Sequence, residues 1–223
     1  MVTGADPLVY PGGMPRRPEA TRALLLQSAR REFVDHGLAG ARVDRIADRA
    51  GVNKQRIYAH FGDKERLFRH VLDQAVVELA EEVALTDDTD PTTYVARVFD
   101  YHRRHPDLLR LLMWEALQRG ATGSDDPERV AHYDGKVASL TGALGGDAAS
   151  ADVRALLLTL IGLASWPQVL PQLGRLVLGP EAAAEATQVR LREFLVEFTR
   201  AALADGVPDP DRSAPPPARD ARP

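Results

Sequence analysis

Val43-Asp44-Arg45-Ile46-Ala47-Asp48-Arg49-Ala50-Gly51-Val52-Asn53-Lys54-Gln55-Arg56-Ile57-Tyr58-Ala59-His60-Phe61 reads as helix, tight turn, helix. Gly51 suits the left-handed residue that closes a helix, where a side chain would clash. Asn53 suits the N-cap of the helix that follows. Ile46 and Ala47 before the turn face Val52 and Ile57 after it, an apolar contact that fixes the two helices at a steep angle. A helix-turn-helix of this kind leads into the major groove of DNA with the first residues of its second helix.

Outward from this stretch the pattern stays helical. Leu25, Ala29 and Phe33 recur at spacings of four, an apolar stripe that needs a packing partner. The two short helices are marginal unless packed, and Val43, Ile46, Ala47, Val52, Ile57 and Phe61 supply the faces for it. Helices are predicted near 18–36, 43–50, 54–60, 63–84, 91–104, 106–119, 127–144, 150–178 (broken at Pro167 and Pro171) and 181–204. Asp90-Pro91, Asp126-Pro127 and Gly179-Pro180 place a cap or break just before a proline suited to a first helical position. His105-Pro106 marks a further start, because the residue before proline leaves the helical region. No stretch alternates apolar and polar residues strongly enough for a strand, so the fold class is all-α.

The 223 residues carry a net charge of −4 that conceals an asymmetry. Residues 16–70 hold 13 Lys+Arg against 7 Asp+Glu, whereas residues 71–204 hold 12 against 20. A basic segment on an acidic body suits an anion-binding module joined to a non-binding one. Cysteine is absent, which excludes disulfides, thiolate metal sites and a cysteine nucleophile. No unbroken apolar run reaches the length of a membrane span, and the first fifteen residues lack the pattern of a signal peptide. A soluble, cytoplasmic protein that makes no membrane contact is the expectation. No cofactor is called for, and His102 with His105 has no carboxylate at convincing metal spacing.

The second short helix breaks a local rule. Lys54 and Arg56 occupy its first turn, where the helix dipole favours acids. An outside anion in front of them resolves the conflict, and DNA supplies one. Arg56 and Gln55 are the expected base readers, since guanidinium pairs with guanine and a side-chain amide with adenine. Lys54, Tyr58 and His60 are expected at phosphates or thymine methyl groups. Lys64, in the first turn of the next helix, is expected to hold a phosphate beside free backbone N–H groups. Arg42 and Arg45, flanking the first short helix, are expected on the opposite strand's backbone. The plainer reading of the same residues is two ordinary helices with a solvated charged face, Tyr58 and Phe61 belonging to the core.

Ile46-Ala47, Ala50-Gly51-Val52-Asn53-Lys54, Ile57-Tyr58-x-His60-Phe61 and Asp63-Lys64-Glu65-x-Leu67, in register, resemble the TetR (tetracycline-repressor-like) family of transcriptional regulators. The resemblance spans Thr21 to about Leu72. It implies a homodimer with one N-terminal DNA-binding unit per subunit, and a larger helical domain where a small effector shifts the spacing of the two readers. It also favours repression. Two positions depart from the family pattern: Arg42 stands where a capping threonine or serine is usual, and Glu32 where an apolar residue is common. The expected organisation is a flexible arm over 1–15, the helix-turn-helix domain over 16–70, an effector-binding and dimerisation domain over 71–204, and, from six prolines and four aspartates with almost no large apolar side chain, a disordered tail over 205–223.

Residues 150–164 and 181–204 are apolar around most of their circumference, which requires burial on two sides. Self-association satisfies that requirement, with Leu157, Ile161, Phe194, Leu195 and Phe198 as expected interface residues; a deep core within one subunit is the alternative. Phe99, Tyr101, His102, Met113, Trp114 and Trp166 are candidate effector-pocket residues, because aromatic and methionine side chains grip flat apolar molecules. The acidic excess of this segment slightly favours a neutral or cationic effector and equally serves solubility and repulsion that keeps this body off DNA. Two other classes stand beside the regulator: a helical protein-binding scaffold, and an enzyme without a recognisable motif. Neither a phosphate-cradling glycine loop, a zinc-protease histidine pair nor a nucleophile elbow is present.

Overall fold

Ten α-helices and no strand make up the described residues of the computed structural model, which are 18–119, 127–146 and 150–204. The expected arm, the tail and the Asp126 cap lie outside them. In chain order the helices are α1 (Pro18–Gly40), α2 (Val43–Ala50), α3 (Lys54–Phe61), α4 (Lys64–Glu82) and α5 (Pro91–Arg104). Then come α6 (Pro106–Arg119), α7 (Pro127–Ala143), α8 (Ser150–Val169), α9 (Pro171–Leu178) and α10 (Glu185–Ala202). Packing divides the chain into two compact units, one ending at Leu72 and the other beginning at Asp73.

In the first unit α1 bends at Gly37 (φ 64°), so its straight part matches the predicted span. Its stripe of Leu25, Ala29 and Phe33 is buried, and Phe33 meets Phe68 of α4 edge to face with ring centres 5.2 Å apart. Ile46 and Ala47 of α2, Ile57 of α3, and Leu67, Val71 and Leu72 of α4 complete this small core.

The second unit is built around α5, which packs on both α8 and α10. Tyr94, Val95, Val98, Phe99, Tyr101 and His102 of α5 are all buried. Asp90 caps this helix by accepting from the amides of Thr92 (2.7 Å) and Thr93 (3.2 Å), with Pro91 in its first turn. Arg192 of α10 grips Asp100 with Nε at 3.0 and 2.8 Å from the two carboxylate oxygens. Arg103 donates to Glu185 from Nη1 and Nη2, one to each carboxylate oxygen, at 2.6 and 3.1 Å.

Two boundaries differ from the sequence reading. Pro167 does not break α8; it lies close to the end of that helix, which stops at Val169. The break comes at Leu170, driven out of the helical region (φ −122°, ψ 70°) by Pro171 after it. The chain then turns by 84° into α9. Gly179-Pro180 opens a 3-10 turn over Pro180–Ala183 rather than the long last helix, which starts at Glu185. Among the described residues no single helix is long and apolar enough to cross a membrane; only the bent pair of α8 and α9 has the length and composition to do so.

Candidate nucleic-acid interface

The turn between α2 and α3 has the predicted chemistry. Gly51 is left-handed (φ 65°, ψ 37°), and its N–H and that of Val52 return to the last carbonyls of α2. The Asn53 side chain accepts from the Gln55 amide at 2.9 Å and so caps α3. Of the eight residues of α3, Ile57 alone is buried. A helix this short, anchored by one side chain, presents the rest of its circumference outward, including Lys54, Gln55, Arg56, Tyr58 and His60. Arg56 and Gln55 have no side-chain hydrogen bond or ion pair among the described residues, which leaves their donors free for an external partner.

The other expected contacts are more committed than the sequence suggested. Lys54 does not wait for an outside anion: its Nζ lies 2.8 Å from Asp44 in the first turn of α2. The hydrogen bond between them raises the lysine and lowers the aspartate from their ordinary pKa values. Both side chains remain about half exposed, so the pair is weak and exchangeable. Lys64 turns back to the carbonyls of Ala39 (3.5 Å) and Ala41 (3.3 Å), bracing the segment before α2. Asp63 already fills the N-terminus of α4 by accepting from the Arg66 amide at 2.6 Å, so the phosphate site expected at Lys64 is largely occupied from within.

Arg45 is held by Glu32, a residue whose role the sequence did not reveal. The Glu32 carboxylate is fully buried and accepts from Arg45 Nε at 2.8 Å and from the Arg42 backbone N–H at 2.9 Å. Arg49 stands 3.8 Å from its other oxygen. Burial by itself would raise this carboxyl, but the bonds from Arg45 and Arg42 outweigh it and hold the group below its ordinary value. Arg42 is the N-cap of α2 and makes no side-chain cap. In a capping box an acid at the third helical position reaches back to the N-cap amide. Here that position is Arg45, and Glu32 delivers the carboxylate from α1 instead. The signal was available: an acid beside the buried Ala29 and Phe33, and a base where a capping box has an acid. Arg45 therefore orients α2, whereas the Arg42 side chain stays exposed beside the uncapped helix start.

In the second unit, Phe99, Tyr101 and His102 are buried, Trp114 is half-buried, and Met113 (41%) and Trp166 (55%) are exposed. None of the six lines either of two clefts in this unit. One, of about 280 Å³, lies among Arg103, Pro167, Pro171, Leu178, Gln188 and their neighbours. The other, of about 230 Å³, lies among Asp73, Val76, Val77, Ala80, Glu128, Arg129 and His132. Of the expected interface residues, Leu157 and Leu195 are covered within the chain and unavailable to a partner. Ile161 is half-buried, and Phe194 and Phe198 are exposed and stacked on each other at 6.2 Å. Among the described residues no group of three or more histidines or carboxylates is placed to hold a metal ion.

Comparison with known proteins agrees with this geometry. Residues 25–71 match the family described as bacterial regulatory proteins, tetR family. Residues 90–200 match the tetracyclin repressor-like C-terminal domain. The HTH-type transcriptional repressor SCO4008 of Streptomyces coelicolor is 42% identical over 167 residues, covering 74% of this chain and 86% of that protein. The HTH-type transcriptional activator FasR of Mycolicibacterium smegmatis is 45% identical over 71 residues, 31% of this chain and 32% of that protein. Among solved structures, the transcriptional regulator SCO4942 of Streptomyces coelicolor superimposes with a TM-score of 0.68 at 29% identity, covering 81% of this chain and 97% of that one.

Proposed function

Because the chain belongs to the TetR family of bacterial transcriptional regulators, we propose that it is a cytoplasmic, effector-released repressor acting as a homodimer on a roughly palindromic operator. The carrying observation is α3: one buried residue holds it, and Gln55 and Arg56 lead it without internal partners. These two read base edges. Lys54 exchanges Asp44 for a phosphate, Tyr58 and His60 lie along the backbone, and Arg42 with the uncapped start of α2 holds a phosphate on the other side. Arg45 and Lys64 keep these elements in place and add positive field.

Repression is favoured because SCO4008, matched over most of its length, is a repressor. FasR, an activator, matches over only about a third of its length, so a shared reading head does not fix the sign of regulation. The proposed dimer face is apolar surface left open by the subunit: Leu158 and Trp166 of α8, Leu176 and Val177 of α9, and Phe194 and Phe198 of α10. Pairing two short readers raises affinity through effective concentration. This job needs no catalysis.

A duplex covering the DNA that flanks the chain's own coding region tests the proposal by fluorescence anisotropy. Binding should exceed that to a scrambled duplex and fall steeply with salt, by about 0.9 in log–log slope for each phosphate neutralised. Equal, weak binding to both duplexes at low salt contradicts it.

A further inference from the structure

Lys136 of α7 is only 8% exposed, and it is one of three lysines among 28 basic residues. Its Nζ lies 3.4 Å from the Tyr94 hydroxyl and 5.6 and 5.9 Å from the ring centres of Tyr94 and Tyr133. No carboxylate stands within ion-pair distance of it among the described residues. Two ring faces and one long hydrogen bond cannot satisfy an ammonium with three donors. His102 of α5, 2% exposed, lies in the same electrostatic neighbourhood, with its Nδ1 buried and unpartnered. Burial first, then Lys136 and His105, push this imidazole down to about 4, so it is neutral at physiological pH. Nearby charge is otherwise balanced: Arg129 pairs with Glu115 at 2.9 Å and with Asp73 at 3.6 Å.

A way in exists. The cleft of about 230 Å³ has Val76, Val77 and Ala80 of α4 on one wall and Arg129 and His132 of α7 on the other. Lys136 is one turn beyond His132 on α7, near enough for its charge, after burial, to lower that histidine as well. Asp73 and Glu128 belong to the same cleft, Asp73 being engaged by Arg129. The volume falls below the roughly 300–1,000 Å³ of drug-sized sites, which suits a small molecule with one ring or a short chain.

We propose that the effector is a small organic acid whose carboxylate docks on Lys136 Nζ and the Tyr94 hydroxyl, with its apolar body along Val76, Val77 and Ala80. The acidic balance of this unit pointed toward a neutral or cationic effector; the sign that matters is that of the charge left unpaired inside. The inference rests on the effector-released regulator described above.

The test is calorimetric titration of the full chain with benzoate, 3-phenylpropionate and decanoate, each beside its alcohol and amine counterpart, together with operator release. At least one acid should bind at millimolar concentration or below, at least tenfold tighter than its alcohol, and its amine should not bind. Lys136→Met should lose that affinity at least tenfold while its melting temperature stays level or rises, and Tyr94→Phe should lose a smaller part. Binding of an amine in preference to its acid, binding of no acid, or unchanged acid affinity in Lys136→Met overturns the anion site. A fall in the melting temperature of Lys136→Met also overturns it, because the lysine then serves the fold. If an acid binds yet the operator stays bound, the anion site stands and the regulatory reading fails. Operator release by an amine alone overturns the anion site and leaves the regulator standing.

Discussion

The basic first unit buries a carboxylate and the acidic second unit buries an ammonium, and the two are treated differently. Glu32 has Arg45, Arg49 and the Arg42 amide around it. Lys136 has two tyrosine rings and one hydroxyl. A buried charge is costly unless paired and hydrogen-bonded, so the first arrangement, with both bonds on Oε1 and only the Arg49 charge near Oε2, is largely compensated and fixes geometry. The second carries an unmet demand inside a cavity-bearing domain. One charge builds a reading head of set shape; the other leaves room for a partner from outside.

The largest effect expected from breaking this contrast is at Glu32. Glu32→Ala strands two guanidiniums and an amide and should cost about 2–3 kcal/mol in urea unfolding, below the usual cost of splitting a fully buried pair because both arginines reach water. The pH sign follows from the depressed folded pKa of Glu32. Its contribution is full above the unfolded value, about 4.3, and disappears as the pH falls through the lower folded value. The stability gap between the parent and Glu32→Gln should therefore narrow below about pH 4. A gap that widens on acidification contradicts the assignment.

Arg56→Ala comes next: about 1–3 kcal/mol of operator affinity, with relaxed preference at one base pair and an unchanged melting curve. Loss of stability instead of specificity would make Arg56 a structural residue. Lys136→Met should move stability the other way, by about 1 kcal/mol in favour of the folded state, since it removes an unpaired buried charge. The smallest effect belongs to Asp44→Asn, which frees Lys54 and removes an acid beside DNA. Affinity for every duplex should rise a few-fold; a fall would mean that Asp44 positions Lys54 for its contact.

Much of this was legible in the chain. Gly51, Asn53 and Pro91 act locally, so the α2–α3 turn and the start of α5 could be read from residue type alone. Pro167 misled because a proline so close to a helix end disturbs few hydrogen bonds, whereas Pro171 acts on the backbone of Leu170. The candidate site was less legible. That Lys54 faces Asp44, and that Lys64 folds back to Ala39 and Ala41, depends on side chains from separate helices meeting. Glu32 and Lys136 are long-range cases: an acid on α1 and a lysine on α7 look like ordinary surface residues until the core closes over them. Leu157 and Leu195 failed as interface residues for a related reason, because an all-round apolar helix does not tell which side faces its own core.

Selection of bound duplexes from a random pool, run in parallel on the full chain and on Arg56→Ala, bears most directly on α3 as the reading element. The parent should enrich a rough palindrome with half-sites on one face of the duplex, about a helical turn or more apart. The variant should enrich the same palindrome with one position in each half-site blurred. No enrichment by the parent, or an identical motif from both proteins, contradicts it.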